Sequence, residues 1–112
     1  MRPERDGAPG NLFSTVPVPG GGETFQELLR CRNVRIERIV SGANPEPRVY
    51  DQEQDEWVCL LQGEAELSVE DERVPLRAGE SLFIPAHIPH RVLQTSAEPP
   101  CIWLAVHIHP SA

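Results

Sequence analysis

Residues 79–90 read Gly79-Glu80-Ser81-Leu82-Phe83-Ile84-Pro85-Ala86-His87-Ile88-Pro89-His90, and the fold is decided here. Ala78-Gly79-Glu80 is a turn, Ser81–Ile84 a short strand stopped by Pro85, and a proline-bounded loop leads into a second strand over His90–Gln94. Strands this short, joined by turns this tight, indicate an antiparallel all-β chain. Working outward, Ala65, Leu67 and Val69 alternate with Glu64, Glu66, Ser68 and Glu70, which predicts a strand with one buried face. Asp71-Glu72 turns it into a strand over Arg73–Arg77. On the N-terminal side a strand over Glu56–Leu61 stops at Gly63, and Val34, Ile36 and Arg38 alternate with Arg35 and Glu37 in a half-buried strand at 33–40. Ser41–Pro47 is a loop by its breakers. Cys101–His109 is the last strand, with Trp103, Ala105, His107 and His109 on one face and Ile102, Leu104, Val106 and Ile108 on the other. The aliphatic face should pack on a second sheet or a partner subunit, and the histidine face should line a barrel mouth. Thr24–Leu29 predicts the one short helix: Thr24 caps it, Glu27 follows three residues on, and Phe25, Leu28 and Leu29 share a face. Residues 1–22, rich in Pro and Gly and ending Gly20-Gly21-Gly22, are an arm with a flexible joint. The remaining residues, 23–112, are expected to form one domain, an antiparallel sandwich or barrel.

The chain has 112 residues, enough for one domain, and its ten basic residues against 17 acids give a charge of −7. All ten are arginine. Without lysine there is no amine for a Schiff base, and an acidic chain without a basic stripe is a poor partner for nucleic acid or anionic lipid. No apolar run reaches the roughly 20 residues of a membrane span, and Met1–Gly10 lacks the apolar segment of a secretory signal. Cys31, Cys59 and Cys101 are odd in number and far apart, which fits reduced packing residues in a cytoplasmic protein. There is no G-x-S-x-G elbow, phosphate loop or H-E-x-x-H.

Gly79, Pro85 and His90 resemble the second cupin motif, G-x5-P-x-G-x2-H, with His87 where the pattern has Gly and Gln94 where it usually has Asn. Glu56 and Gly63 match the end of the first motif, E-x6-G, in the right order and at a fitting distance. Asp55-Glu56-Trp57-Val58, Pro85-Ala86-His87 and Trp103-Leu104-Ala105-Val106-His107 are further similar to small bacterial single-domain cupins. The resemblance covers about residues 50–94. It implies a double-stranded β-helix (the cupin jelly-roll barrel), often dimeric, with a metal held by two histidines and a glutamate of the first motif and one histidine of the second. Glu56 and His90 occupy ligand positions. Counting back four and six residues from Glu56, where the two histidines belong, gives Gln52 and Tyr50.

Strand parity lets Tyr50, Gln52, Gln54 and Glu56 project together, leaving Asp51, Glu53 and Asp55 to solvent; a one-residue bulge would reverse the sets. Glu56, His90 and Gln52 supply a carboxylate, an imidazole and an amide oxygen. His87 or His107, turned inward, would complete a three- or four-ligand site for Fe²⁺, Mn²⁺, Ni²⁺ or Zn²⁺. The alternatives are a turn-filling His87, a solvated His109, and a Glu56 bonded to Tyr50 or Gln52 without metal. A buried Glu56 then needs a partner or a raised pKa. Tyr50 could act as a general acid or bind ligand, and Arg48 could hold an anionic group, as could Arg91, although Arg91 should point away from His90. Trp57, out of phase with Glu56, should pack between sheets or at a dimer seam.

Two functional classes remain open on the sequence. One is a metal-dependent enzyme acting on a small carboxylate or carbonyl compound by dioxygenase, isomerase or lyase chemistry. The other is a metal-free module that binds or senses a small molecule, favoured by the absent histidines of the first motif. A homodimer is expected in either case, because a small barrel gains by covering its edge strand.

Overall fold

The computed structural model describes residues 9–16 and 22–111. Most of the arm expected over 1–22, including Gly20 and Gly21 of the joint, lies outside the described residues. Eight strands follow in order: β1 (Glu23–Cys31), β2 (Val34–Ser41), β3 (Asp55–Gln62), β4 (Glu64–Val69), β5 (Glu72–Arg77), β6 (Ser81–Ile84), β7 (His90–Thr95) and β8 (Cys101–Ile108). They form a five-stranded sheet in the order β1-β2-β8-β3-β6 and a three-stranded sheet in the order β5-β4-β7. All pairings are antiparallel.

The helix expected over Thr24–Leu29 is not formed. These residues lie in β1, which pairs with β2 from Glu23↔Ser41 to Cys31↔Val34 with a register shift between Glu27 and Leu29. An isolated helix this short is marginal in water, and a full ladder along an available edge satisfies the same backbone groups with tertiary support. The shift explains the misleading pattern, since one extra residue breaks strand alternation and mimics helical spacing.

The turn expected at Asp71-Glu72 sits one residue earlier. Val69 pairs with Glu72, and Glu70 and Asp71 both have positive φ (49° and 65°), the backbone of a two-residue hairpin loop whose twist suits its strands. Gly63, between β3 and β4, has φ 95°, and a Cβ there would lie 2.7 Å from Ser96 Oγ and 2.8 Å from Cys101 Sγ. No other residue fits that position without displacement.

The core fills the space between the sheets, where Ile39, Val58, Leu60, Leu67, Leu76, Ile84, Trp103 and Ala105 are all buried. Removing a side chain such as Leu60, which is 0% exposed, from water contributes about 1.5–3 kcal/mol. Trp103 finds a partner for its indole N–H in Ser41 Oγ at 2.9 Å, as a buried indole must.

Each inward row changes from apolar to polar towards one end of the barrel. On β3 the inward residues run Leu60, Val58, Glu56; on β8 they run Trp103, Ala105, His107; on β2, Ile39 precedes Glu37 inward; on β7, Val92 precedes His90. The polar ends coincide because register fixes them: Glu56 lies opposite His107, and His107 lies opposite Arg35.

The aliphatic face of β8 does not meet the second sheet, which covers the Trp103–His107 face instead. Leu104 and Val106 are half-buried and Ile108 is exposed on the outer side, beside Trp57 and Phe83, which pair in register and are also exposed. Trp57 is therefore on the outer surface and not between the sheets. Of the cysteines, Cys101 is buried, Cys59 half-buried and Cys31 exposed at the end of β1, so the packing role expected for all three does not extend to Cys31.

Candidate functional site

At the polar end of the barrel is a cavity of about 80 Å³ with an open mouth. Its polar lining comes from Glu23, Glu37, Tyr50, Gln52, Glu56, His90 and His107, and its apolar walls include Phe25, Ile39, Val58 and Trp103.

Glu56, at the start of β3, is 8% exposed. Gln52 donates its amide N–H to Glu56 Oε1 at 3.0 Å, and His90 Nε2 faces the same oxygen at 3.7 Å, an ion-pair distance too long for a strong hydrogen bond. His90 Nδ1 lies 3.0 Å from the carbonyl oxygen of Ile88. A carbonyl only accepts, so Nδ1 carries the hydrogen and Nε2 is the nitrogen turned towards Glu56 and the cavity. Burial alone would push the Glu56 carboxyl up, but the His90 imidazole, His107 and the Gln52 amide outweigh it and hold the group below its ordinary range. His90 shows the mirror effect: burial pulls its pKa down, while Glu56 and the Ile88 carbonyl raise it above the ordinary value.

Tyr50 reaches this site by main chain and ring. Its N–H donates to the His90 carbonyl at 2.8 Å and the His90 N–H returns the bond at 3.0 Å, an isolated bridge tying the loop before β3 to β7. The rings stack with centroids 5.7 Å apart. Arg48 lies over the Tyr50 ring at 5.4 Å and does not line the cavity. Burial and the charge of Glu23 push the Tyr50 hydroxyl up.

A second polar chain lies beside the first. His107 Nε2 donates to Glu37 Oε1 at 2.8 Å, because a carboxylate oxygen only accepts. Its Nδ1 is 3.3 Å from the Gln54 amide nitrogen, and Arg35 donates to Glu37 Oε2 at 2.8 Å. Both nitrogens of His107 and both oxygens of Glu37 are thereby engaged. Burial would raise the Glu37 carboxyl, but His107 and Arg35 bring it below the ordinary range.

Residues 51–52 have no regular structure and 53–54 form a bend, so the even-numbered residues before Glu56 are not placed by strand alternation. Tyr50, Gln52 and Glu56 line the cavity and Gln54 reaches His107. Asp55 turns away and accepts the Ala86 N–H at 2.8 Å. His87 is placed outside the cavity. It has φ 63°, the left-handed conformation that explains a glycine at this point of the motif. Its ring is exposed, with Nδ1 3.3 Å from Asp51 on the surface. His109 is half-buried, with Nε2 buried and unbonded, so it is not a solvated end residue. Arg91, as expected from its place beside His90, points away and lines a separate surface depression.

Glu37 and Glu23 were not legible as site residues. Glu37 falls among alternating charges that read as a solvent face, and Glu23 immediately precedes the segment that reads as a helix. Only the pairing of β2 with β8 and of β1 with β2 brings them to the cavity.

A resident divalent metal ion needs about three or four protein donors around one point. Here only Glu56 and His90 converge. Gln52 presents its amide nitrogen, His107 is bonded to Glu37 and Gln54, and His87 is outside. Among the described residues no group of three His, Cys, Asp or Glu side chains is placed to hold a metal, so the residues as arranged do not fit one.

Comparison with known proteins is consistent with this architecture. A sequence model for the family described as Cupin domain matches residues 35–107. A crystal structure from Ralstonia eutropha JMP134, described as a candidate mannose-6-phosphate isomerase, superposes with a TM-score of 0.83 at 42% identity, over 91% of this chain and 98% of that one. A cupin superfamily protein from Desulfitobacterium hafniense DCB-2 superposes with a TM-score of 0.78 at 19% identity, over 94% of both chains, a likeness of fold alone. Among curated proteins, the 3-hydroxyanthranilate 3,4-dioxygenase of Xanthomonas euvesicatoria pv. vesicatoria is 39% identical over 56 residues, which is 46% of this chain and 32% of that enzyme. The chain thus spans about a third of the length of the curated relatives it matches.

Proposed function

The chain belongs to the cupin domain family, and on that premise we propose that it binds a small carbonyl or hydroxy compound at the polar end of its barrel and moves a proton on it, as an isomerase does. The observation that carries this reading is the Glu56–His90 pair, one carboxylate and one imidazole 3.7 Å apart at the cavity wall, with their pKa values moved in opposite directions. Such a pair holds a base and an acid together at neutral pH. The Glu56 carboxylate takes a proton from a hydroxyl-bearing carbon beside a carbonyl, and the His90 imidazolium, keeping its Nδ1 hydrogen on the Ile88 carbonyl, gives its Nε2 proton to the carbonyl oxygen. The product is an enediol, with Glu56 protonated and His90 neutral. Return of the proton from Glu56 to the former carbonyl carbon, while His90 Nε2 takes the original hydroxyl proton of the first carbon, completes the isomerisation and restores both groups. Tyr50, stacked on His90, orients the ring, and Gln52 holds the carboxylate. The similarity to the Ralstonia protein supports the reaction class and leaves the substrate open.

The test is a screen of small hydroxy-ketones and hydroxy-aldehydes for deuterium incorporation from D2O, followed by NMR. Removing a general acid or base typically lowers a rate by about 10²–10⁴, and that loss is expected in both Glu56→Gln and His90→Gln. Exchange that survives in both variants would overturn the reading.

A second reading is a divalent metal ion (Fe²⁺, Mn²⁺, Ni²⁺ or Zn²⁺) on Glu56 and His90. One observation favours it: the Ile88 carbonyl fixes the His90 ring so that Nε2 faces the cavity, the orientation a ligating imidazole takes. The partial match to dioxygenases agrees. It requires Gln52 to turn its amide oxygen inward as a third donor. Elemental analysis of the untagged chain beside His90→Ala decides it: about one metal per chain, lost in the variant, replaces the first reading.

We also propose a homodimer through the outer face carrying Trp57, Phe83 and Ile108. A cytoplasmic location completes the reading, supported by cysteines that are all unpaired. No helix among the described residues is long and apolar enough to cross a membrane.

A further inference from the structure

The charges around the cavity are unbalanced, and the imbalance selects a ligand class. Three carboxylates line it, Glu23, Glu37 and Glu56, and no arginine among the described residues does; the chain has no lysine. Two of the three are answered within the protein. Glu56 faces His90 at 3.7 Å, and Glu37 is paired with Arg35 at 2.8 Å. Glu23, at the start of β1, forms no salt bridge among the described residues.

Burial, followed by the charges of Glu46, Glu56 and Glu37, pushes the Glu23 carboxyl up, and the opposing influence of Arg48 does not reverse this. A half-buried carboxylate without a counter-charge is held at a cost unless something else supplies one. The walls beside it are aromatic, with Phe25, Tyr50 and Trp103 all lining the same space. Carboxylate and aromatic faces together recognise ammonium groups, by charge and by the attraction of a cation to a ring face.

Resting on the small-molecule reading above, we infer that the carbonyl or hydroxy ligand of this pocket is also a small organic cation, carrying a protonated amine whose ammonium group meets Glu23 and whose carbon chain lies against Phe25, Ile39 and Trp103. A cavity of about 80 Å³ admits only a few heavy atoms beyond a bound water. A carboxylate or phosphate ligand would instead meet the unanswered Glu23, so this inference favours a cation over the carboxylate substrates expected from the sequence.

Three probes of one shape and different charge test this on the full chain: propylammonium, propionate and 1-propanol. Each is titrated while the His90 ring and Trp103 indole signals are followed by NMR. Propylammonium should shift both, with an affinity at least tenfold above that of propionate and of 1-propanol. Glu23→Gln should lower propylammonium affinity about tenfold while leaving 1-propanol unchanged, a control that a merely unfolded variant fails. Propionate or 1-propanol binding as tightly as propylammonium would overturn the charge inference and leave the small-molecule pocket standing. No shift from any of the three would overturn the pocket reading and this inference with it.

Discussion

Glu56 on β3 and His90 on β7 belong to different sheets, yet their Oε1 and Nε2 atoms stand 3.7 Å apart with both side chains about nine-tenths buried. The pair therefore bridges the two layers at the polar end of the barrel. Its charge state sets the first prediction. The Glu56 carboxyl is held below its ordinary value of 4.5 in the folded state, so its contribution is present above that pH and is lost as the pH falls through the folded value. The His90 imidazole is raised above 6.5, so its contribution is present below that pH and is lost as the pH rises through the folded value. The difference in unfolding free energy between the parent and His90→Gln should therefore be greatest between about pH 4.5 and 6.5 and decline on both sides. A maximum of about 3 kcal/mol is expected. Urea unfolding across pH 3.5–9 measures it, and a flat difference would remove the ion pair. The lowered Glu37 is common to both chains and cancels.

Glu23 gives the opposite sign. Its carboxyl is raised by burial and by neighbouring carboxylates, so ionising it weakens the fold as the pH rises above its ordinary value. Glu23→Gln should stabilise the protein at pH 7 by about 0.5 kcal/mol, a shift of a few degrees in Tm. At pH 3.5 there should be no gain. Equal gains at both pH values would point to packing and not to charge.

Two backbone positions with positive φ should respond in opposite ways. Gly63→Ala places a Cβ 2.8 Å from Cys101 Sγ at φ 95° and should destabilise by about 2 kcal/mol or more in urea unfolding. His87→Gly, at φ 63°, relieves a left-handed non-glycine residue and should be neutral or stabilising by up to about 1 kcal/mol. Because His87 is outside the cavity, its removal should leave propylammonium affinity unchanged. A loss there would return His87 to the site.

The outer face offers a test of assembly. Trp57 and Phe83 are paired across β3 and β6 and exposed, with Val106 paired to Trp57 on the other side. A stable dimer buries about 800 Å² from each partner, and a charge at its centre is strongly opposed. Sedimentation should give twice the chain mass of 12.5 kDa for the parent and a single chain for Phe83→Glu. A monomeric parent would remove the dimer.

The strands over Glu64–Val69, Ser81–Ile84 and Cys101–His109 were legible because period-two burial and breaker residues are local signals. The same locality explains what was misread. β1 looked helical because a register shift near Leu28 broke its alternation. Val34, Ile36 and Arg38 read as the buried face of β2 with Arg35 and Glu37 to solvent; pairing with β8 turned Glu37 inward to His107 instead.

By itself the sequence determined the all-β fold and the cupin pattern at Glu56, Gly63, Gly79, Pro85 and His90. These follow from side-chain alternation and from backbone positions that few residues tolerate. Tertiary structure alone decided that Glu56 and His90 meet across the sheets, that His107 is bonded to Glu37 and Gln54, that His87 faces solvent, and that Glu23 lines the cavity with no salt bridge among the described residues. Those are matters of register between strands distant in the chain, and register is set by how whole sheets pair and pack, not by any local pattern of residues.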